Sequence, residues 1–412
     1  MATSTARHSR TIRPKCSPLP RKPMSTDDAR AAERLLACCV SPGECAIPAD
    51  APAWDELLPL ALFHGVAPLL YANLKGHDLP EPIRAQLRSI YVANSRRNEQ
   101  LLAEQARILA AFSEKSISVW PLKGPQLGAQ LYGDAAIRQV ADMDLLIRPA
   151  DLVACDGVLA SLGYARQAPG DIAGLRDAGE LIYLKDAGRE ADQGKNGGSE
   201  EGPAWRPGQM TFAVDLQQRV LPYGQRDPLA DRIRSLGMTA ENLLLSLCVN
   251  QVAHRFARLK YLLDAAACLR KHGAALDWPA FLAVARELDF APGIYLSLAW
   301  ARSLADVRVP QDVLVALRPD WFTRRFAARV LGDDAVTTLL RGAALAGPYG
   351  ALAILAATRP GPARWRQLWR MLFPPAAYLR QVFAAAPDDP LLPLYVRRLM
   401  GKLPAALRRR TL

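Results

Sequence analysis

The chain has 412 residues, half of them hydrophobic, enough for one large or two ordinary domains around a sizeable core. Its 52 Lys and Arg outweigh 40 Asp and Glu, a formal net charge of +12 that permits an acidic partner such as a nucleotide, nucleic acid or anionic lipid without requiring one. The seven cysteines (Cys16, Cys38, Cys39, Cys45, Cys155, Cys248, Cys268) show neither a C-x-x-C pair nor a Cys/His zinc spacing, which excludes a zinc finger and fits a reduced, cytoplasmic chain.

Residues 1–24 are rich in Arg, Lys, Pro and Ser and lack an apolar core, so they are neither a secretory signal nor a membrane span. They read as a disordered basic tail, with Met24 as an alternative start. Ser25-Thr26-Asp27-Asp28 supplies helix caps ahead of the amphipathic segment Ala29 to Val40. Residues 54–113 read as helices with a loop at His77 to Pro82, because Leu57, Leu60 and Ala61 recur at helical steps on a face that continues to His64. His64 is expected to pack or cap. Arg96-Arg97 is expected on a solvated face.

Strand and helix patterns then alternate. A strand near Ile117 to Lys123 is followed by a short helix, Gln126 to Tyr132, and a strand, Met143 to Ile147. The helix Pro149 to Leu162 precedes strands near Tyr164 to Arg166, Leu181 to Lys185 and Met210 to Leu216. Between the last two, residues 186–209 are heavy in Gly, Pro and charge and read as a mobile hairpin insert.

The chemistry gathers in this part. Asp142-Met143-Asp144 opens the apolar run Leu145, Leu146, Ile147, and in a strand both carboxylates project from one side. Two carboxylates that close raise each other's proton affinity, and a divalent cation such as Mg²⁺ relieves the repulsion. Upstream, Lys123-Gly124 lies between a strand and a short helix, where a lysine and backbone amides can meet phosphate. Downstream, Asp215 sits in a further strand, with Thr211 and Ala213 on its face.

After Asp215 the pattern is helical: Ala240 to Phe256, Leu259 to Lys271, Trp278 to Leu288 and Gly293 to Ala305. Asp264 interrupts an apolar face and reads as a salt-bridge partner, and His254 reads as structural. Gly342 to Thr358 is the most apolar run, but Gly347-Pro348 breaks it and it falls short of the roughly 20 residues a membrane span needs, so it reads as a buried helical hairpin. Towards the end, Trp365, Trp369 and Phe373 interleave with Arg364, Arg366 and Arg370, and Arg408 to Arg410 close a basic tail. Two readings stay open there: a peripheral contact with a membrane surface or acidic partner, or an ordinary outer helix with a frayed tail.

The stretch LKGPQLGAQLYGDAAIRQVADMDLLI from Leu122 to Ile147, the helix ending in Leu162-Gly163-Tyr164 and the Val214-Asp215-Leu216 strand together resemble a bacterial nucleotidyltransferase-like family. That largely uncharacterised group belongs to the polymerase-beta-type superfamily. Trp54 to Tyr71, Arg258 to Ala265 and Asp277-Trp278 extend the resemblance over roughly residues 28–300, with an echo at Phe373 to Arg380.

The resemblance implies an α+β fold: a small mixed β-sheet core at 114–220, N-terminal helices at 25–113, a helical domain at 221–310 and a helical subdomain with a basic tail at 311–412. It implies that Asp142, Asp144 and Asp215 hold Mg²⁺ or Mn²⁺ against an NTP, and that Lys123, Gly124 and Arg138 contact the nucleotide phosphates. The reaction expected is transfer of NMP to a hydroxyl acceptor of unknown identity, with no sign of a nucleic-acid template. One departure is visible. The superfamily's Gly-Ser stands roughly ten residues before the first acid, whereas here Gly124-Pro125 lies further upstream and Pro125 offers neither an N–H nor a hydroxyl. The alternatives are a catalytically degenerate nucleotide or partner binder, and a basic membrane-surface or nucleic-acid-binding protein.

Overall fold

The computed structural model describes residues 33–35, 37–39, 51–167, 172, 179–186, 210–221, 227–334, 337–338, 341–342, 345, 350–374, 376–383, 385 and 389–402. The tail 1–24, the insert beyond Asp186 and the Gly347-Pro348 break lie outside these residues.

Among the described residues, 33–35 and 37–39 are helical, and α1 (Ala51–His64), α2 (Ala67–Leu74) and α3 (Glu81–Glu114), the last of 34 residues, follow. α3 begins with Pro82 in its first turn, where the missing N–H costs nothing. Of its buried residues, Leu87, Asn94, Asn98, Leu101, Gln105, Ile108 and Phe112 recur at steps of three, four and seven and form one stripe, with Glu104 beside it. His64, at the end of α1, accepts the Leu259 amide on Nδ1 at 3.2 Å, so it caps a later helix as the sequence leads one to expect.

The sheet has five strands in the order β1-β2-β5-β4-β3. They are β1 (Val119–Lys123), β2 (Met143–Ile147), β3 (Ala165–Arg166), β4 (Glu180–Asp186) and β5 (Thr211–Gln217). Only β2 and β5 pair in parallel, so the sheet is mixed. Alternation along the strands sorts residues by face. Met143, Leu145, Ile147, Leu181, Tyr183, Val214 and Leu216 enter a core closed by Leu101, Ile108 and Phe112 of α3 and by Leu152 and Leu159 of α4 (Leu152–Ser161). The opposite face carries Asp144, Leu146 and Asp215. There Leu122, Leu127, Leu131 and Leu146 join a second, larger core that runs from Leu35 to Met371.

That larger core is helical. It draws on α5 (Pro228–Leu236), α6 (Ala240–Ala253), α7 (Leu259–His272), α8 (Trp278–Glu287), α9 (Ala291–Ala305), α10 (Gln311–Leu317) and α11 (Trp321–Leu331). Asp227, Thr239, Asp277 and Asp320 cap α5, α6, α8 and α11, each side chain accepting an amide of the first turn. α12 (Gly350–Ala356), α13 (Pro362–Leu372), α14 (Ala376–Phe383) and α15 (Leu391–Lys402) follow. Among the described residues no helix is long and apolar enough to cross a membrane. Cys39, Cys155, Cys248 and Cys268 are buried free thiols, whereas Cys38 is disulfide-bonded, a departure from the wholly reduced set expected.

Candidate active site

The register of three neighbouring strands builds the site. Lys123 at the end of β1 pairs with Asp144 on β2, and Asp144 pairs with Asp215 on β5. Residues in register across a sheet share a face, so a lysine and two carboxylates form one row at the strand spacing of about 4.8 Å. Asp142 lies half-buried in the loop just before β2, close enough for its charge to raise the proton affinity of both other acids. Acids from two distant parts of the chain therefore meet across the neighbouring strands β2 and β5.

Arg234 of α5 holds this register. Its guanidinium donates to the Ile147 carbonyl at the end of β2 and to the Gln218 carbonyl just past β5, at 3.0 and 2.5 Å. The loop that brings Asp142 in is fixed from α3. Asn94 and Asn98 donate to the carbonyls of Ala135, Ala136 and Arg138, and Arg97 to those of Val140 and Ala141. Asn94, Arg97 and Asn98 stand at helical steps of three and four and so address one loop together. Arg97, expected on a solvated face, is half-buried in this role.

Asp144 is only 1% exposed. Its Oδ1 accepts from Lys123 Nζ at 3.1 Å and from Gln217 Nε2 at 2.6 Å, while its buried Oδ2 has no hydrogen-bond partner. Burial is the largest force on this carboxyl and raises it to about 7; Lys123 opposes the rise, and Asp142 and Glu180 add to it. Burial, then Glu180, Asp144 and Asp142, push Asp215 up to about 10. Burial works against the charged Lys123, but Asp144 and Asp142 prevail and hold its proton more tightly than usual.

Glu180, which opens β4 and hydrogen-bonds Asp215, is a fourth carboxylate that the sequence reading left out. Its signal was the same as that of the Asp pair, an acid at the mouth of an apolar strand. Gln217, two residues after Asp215 and on the same face, was also overlooked.

A basic cluster lies near Asp142. The turn between α6 and α7 carries His254, Arg255 and Arg258, and Lys260 follows in the first turn of α7, with Arg255 and Phe256 both at positive φ, 63° and 58°. Two successive side-chain-bearing residues in that region store strain that their surroundings must hold. His254 stacks on Tyr261 with ring centroids 4.2 Å apart. Burial, then Lys123, Lys260, Arg258 and Arg255, keep its imidazole neutral well below the usual range. Burial and Arg138 bring Lys260 down to about 8, against the pull of Asp264 and Asp142. Lys260 donates to the Gln139 carbonyl at 3.2 Å.

Arg138, expected on phosphate, is engaged elsewhere. Its Nε donates to Asp264 at 2.9 Å and its Nη1 to the Gly124 carbonyl at 3.1 Å, in a site where both charged partners are buried. Tyr132 donates to the other Asp264 oxygen at 3.0 Å. Asp264 is thus the salt-bridge partner the sequence reading favoured. The short helix after Gly124 is a π-turn, Gly128–Tyr132, closed by Gly133 at φ +75°. A side chain at Gly128 would stand 2.9 Å from the Ala135 carbonyl, so only glycine lets the turn and the Asp142 loop approach.

The family described as uncharacterised nucleotidyltransferase matches residues 50–306, which include the sheet, all four acids and the basic turn. The chain belongs to this nucleotidyltransferase family. No curated protein and no solved structure matches it. A member of such a family handles a nucleoside triphosphate, and the donor set suits the accompanying cation in kind: oxygen ligands only, an orphaned buried carboxylate oxygen and mutual repulsion among the acids. Among the described residues, no three His, Cys, Asp or Glu side chains form a ready-made metal cage. Lys123 and Gln217 satisfy Asp144 Oδ1 instead.

Proposed function

We propose that the protein transfers a nucleoside monophosphate from an NTP to a hydroxyl on a small molecule, sugar or protein, at the row formed by Lys123, Asp144 and Asp215. One observation carries this reading. Asp144 and Asp215 bind protons too strongly while Lys260 and His254 bind them too weakly, and Asp142 and Lys123 join the two groups: Asp142 acts on Asp144, Asp215 and Lys260, and Lys123 on Asp144 and His254. A cation-bearing triphosphate supplies what each lacks: positive charge for the acids and phosphate oxygens for the bases.

Asp142, Asp144 and Asp215 would hold Mg²⁺ or Mn²⁺, which when bound neutralises phosphate charge and acidifies a hydroxyl brought against it. Lys123, released from Asp144, turns to the phosphates as a point charge. Lys260 and the His254–Arg258 turn receive the β- and γ-phosphates. Arg138 acts as a positioning residue that holds the Lys123-Gly124 turn through the Gly124 carbonyl. With positive charge bound beside it Asp215 would be ionised, and in that form it takes the acceptor's proton as the hydroxyl oxygen bonds to the α-phosphorus. The bond from that phosphorus to the bridging oxygen breaks, and pyrophosphate leaves against the basic turn.

The test is incubation with each α-labelled NTP and Mg²⁺ or Mn²⁺ in host lysate, with Asp144→Asn as the comparison. Label on one acceptor, lost in the variant, is the expected result; equal labelling by the variant overturns the site. A second reading has its own support, since Lys123 and Gln217 already satisfy Asp144 Oδ1. In that case the protein binds nucleotide without chemistry, and calorimetry shows ATP binding with no pyrophosphate release.

A further inference from the structure

α13 packs with its faces reversed. It buries Ala363, Gln367 and Met371, small or polar for the most part, and turns Trp365, Trp369 and Leu372 to solvent. Those three stand at steps of four and three and so line one face, with Trp365 71% and Trp369 64% exposed. Burying an aromatic side chain is worth about 1.5–3 kcal/mol, so an outward pair of tryptophans on a short helix forgoes a large gain. The patch continues beyond the helix. Trp369 lies 4.5 Å from Phe373, which lies 5.9 Å from Tyr395 of α15, whose Leu392 and Val396 are also exposed. On the other side, Arg364 donates to Thr323 at 3.3 Å, tying α13 to the start of α11, where Phe322 is 77% exposed.

Charge follows the same segment. Residues 335–412 hold twelve Arg or Lys against two Asp, so they contribute ten of the chain's twelve net positive charges. Arg366, which also pairs with the half-exposed Asp289 at 3.2 Å, and Arg370 flank the tryptophan face directly, one residue along from each. We propose that this face docks the protein on an anionic lipid surface, with the tryptophans at the headgroup level and the arginines on the lipid charge. Charge complementarity selects the occupant. Two copies of so basic a face repel each other, which disfavours a homodimer there. A nucleic acid would satisfy the arginines and stack on the rings, but the exposed Leu372, Leu392 and Val396 gain from hydrocarbon and not from phosphate or bases. The absence of a spanning helix among the described residues makes the contact peripheral.

The test uses the full chain with phosphatidylcholine vesicles containing about a quarter phosphatidylglycerol, and with pure phosphatidylcholine, at about 0.15 M salt. Cosedimentation and the tryptophan emission shift should show at least about tenfold preference for the anionic vesicles, weakened by salt. Trp365→Ser with Trp369→Ser should lower binding about tenfold or more at unchanged melting temperature. Should that pair fail to fold, Arg366→Gln with Arg370→Gln reads the same contact, since each cation near an anionic surface is worth about fivefold. Equal affinity for both vesicles overturns the proposal. So does binding to an oligonucleotide but not to vesicles, or a concentration-dependent dimer that shields Trp365 and Trp369 without vesicle binding.

Discussion

Asp215 is held mostly by what surrounds it. Its carboxyl stays protonated to about pH 10 in the folded chain, against an ordinary value of 3.8, and Asp144 does so to about 7. The folded state therefore keeps protons that the unfolded chain has released. The stability they lend is complete below about pH 4 and is lost as pH rises through the folded values. In chelator, the melting temperature should fall between about pH 6 and pH 9, and Asp215→Asn should flatten that slope and raise stability at and above neutral pH, because an amide has no proton to lose on unfolding. A slope identical in variant and wild type would show that Asp215 is not in this environment. The same Asn variant should cost on the order of a thousandfold in label transfer, since an amide neither takes the acceptor's proton nor balances a cation.

Between residue and domain, the decisive contacts are those that tie one element to another. The buried Arg138–Asp264 pair joins the loop after the π-turn to α7. Arg138→Ala leaves Asp264 charged and buried, and should cost about 3–5 kcal/mol by urea unfolding. Adding Asp264→Ala should return part of that loss, because the double variant carries no stranded charge. Gly128→Ala should cost about 1–3 kcal/mol by forcing the π-turn away from Ala135, and should weaken label transfer by displacing the loop that carries Asp142. Elements of this size were legible where periodicity alone defined them. β2 and the core helices lie where alternation and helical spacing put them. The 34-residue α3 falls in the stretch that reads as helical after the His77 to Pro82 loop, but its buried face does not, because Asn94 and Asn98 look like surface residues until the loop carbonyls they serve are in place.

At the level of the molecule, the large core does not respect the extent of the family match. That match ends at residue 306, yet Leu331, Leu345, Ile354 and Met371 belong to the same buried cluster as Leu35 and Leu146. Gly293 on α9 donates its amide to the Ala357 carbonyl at 3.0 Å, and a Cβ there would stand 3.0 Å from that of Ala357. A chain cut at residue 306 should therefore expose the α9 surface and be recovered unfolded or aggregated, whereas the full chain should unfold in one cooperative calorimetric transition. A soluble, folded 1–306 fragment would show that the C-terminal helices are a separate unit.

Local rules of alternation and helical spacing, applied residue by residue, determined the strands, the helices and the shared face of Asp144 and Asp215, because those depend on neighbours a few positions away; Asp142, expected in the strand, lies in the loop before it. The sequence also set the charge of the C-terminal segment and the likeness of Leu122 to Ile147 to a nucleotidyltransferase core. Only the tertiary structure decided that Asp144 and Asp215 are direct neighbours, that Glu180 joins them, that Arg138 is spent on Asp264 and that the tryptophans of α13 face outward. The first three are pairings across dozens of residues or more, and the last depends on what the rest of the fold leaves uncovered. Strand register and the choice of partner for a buried charge are settled by competition among many distant groups for the same low-dielectric space, and no local pattern records which one wins.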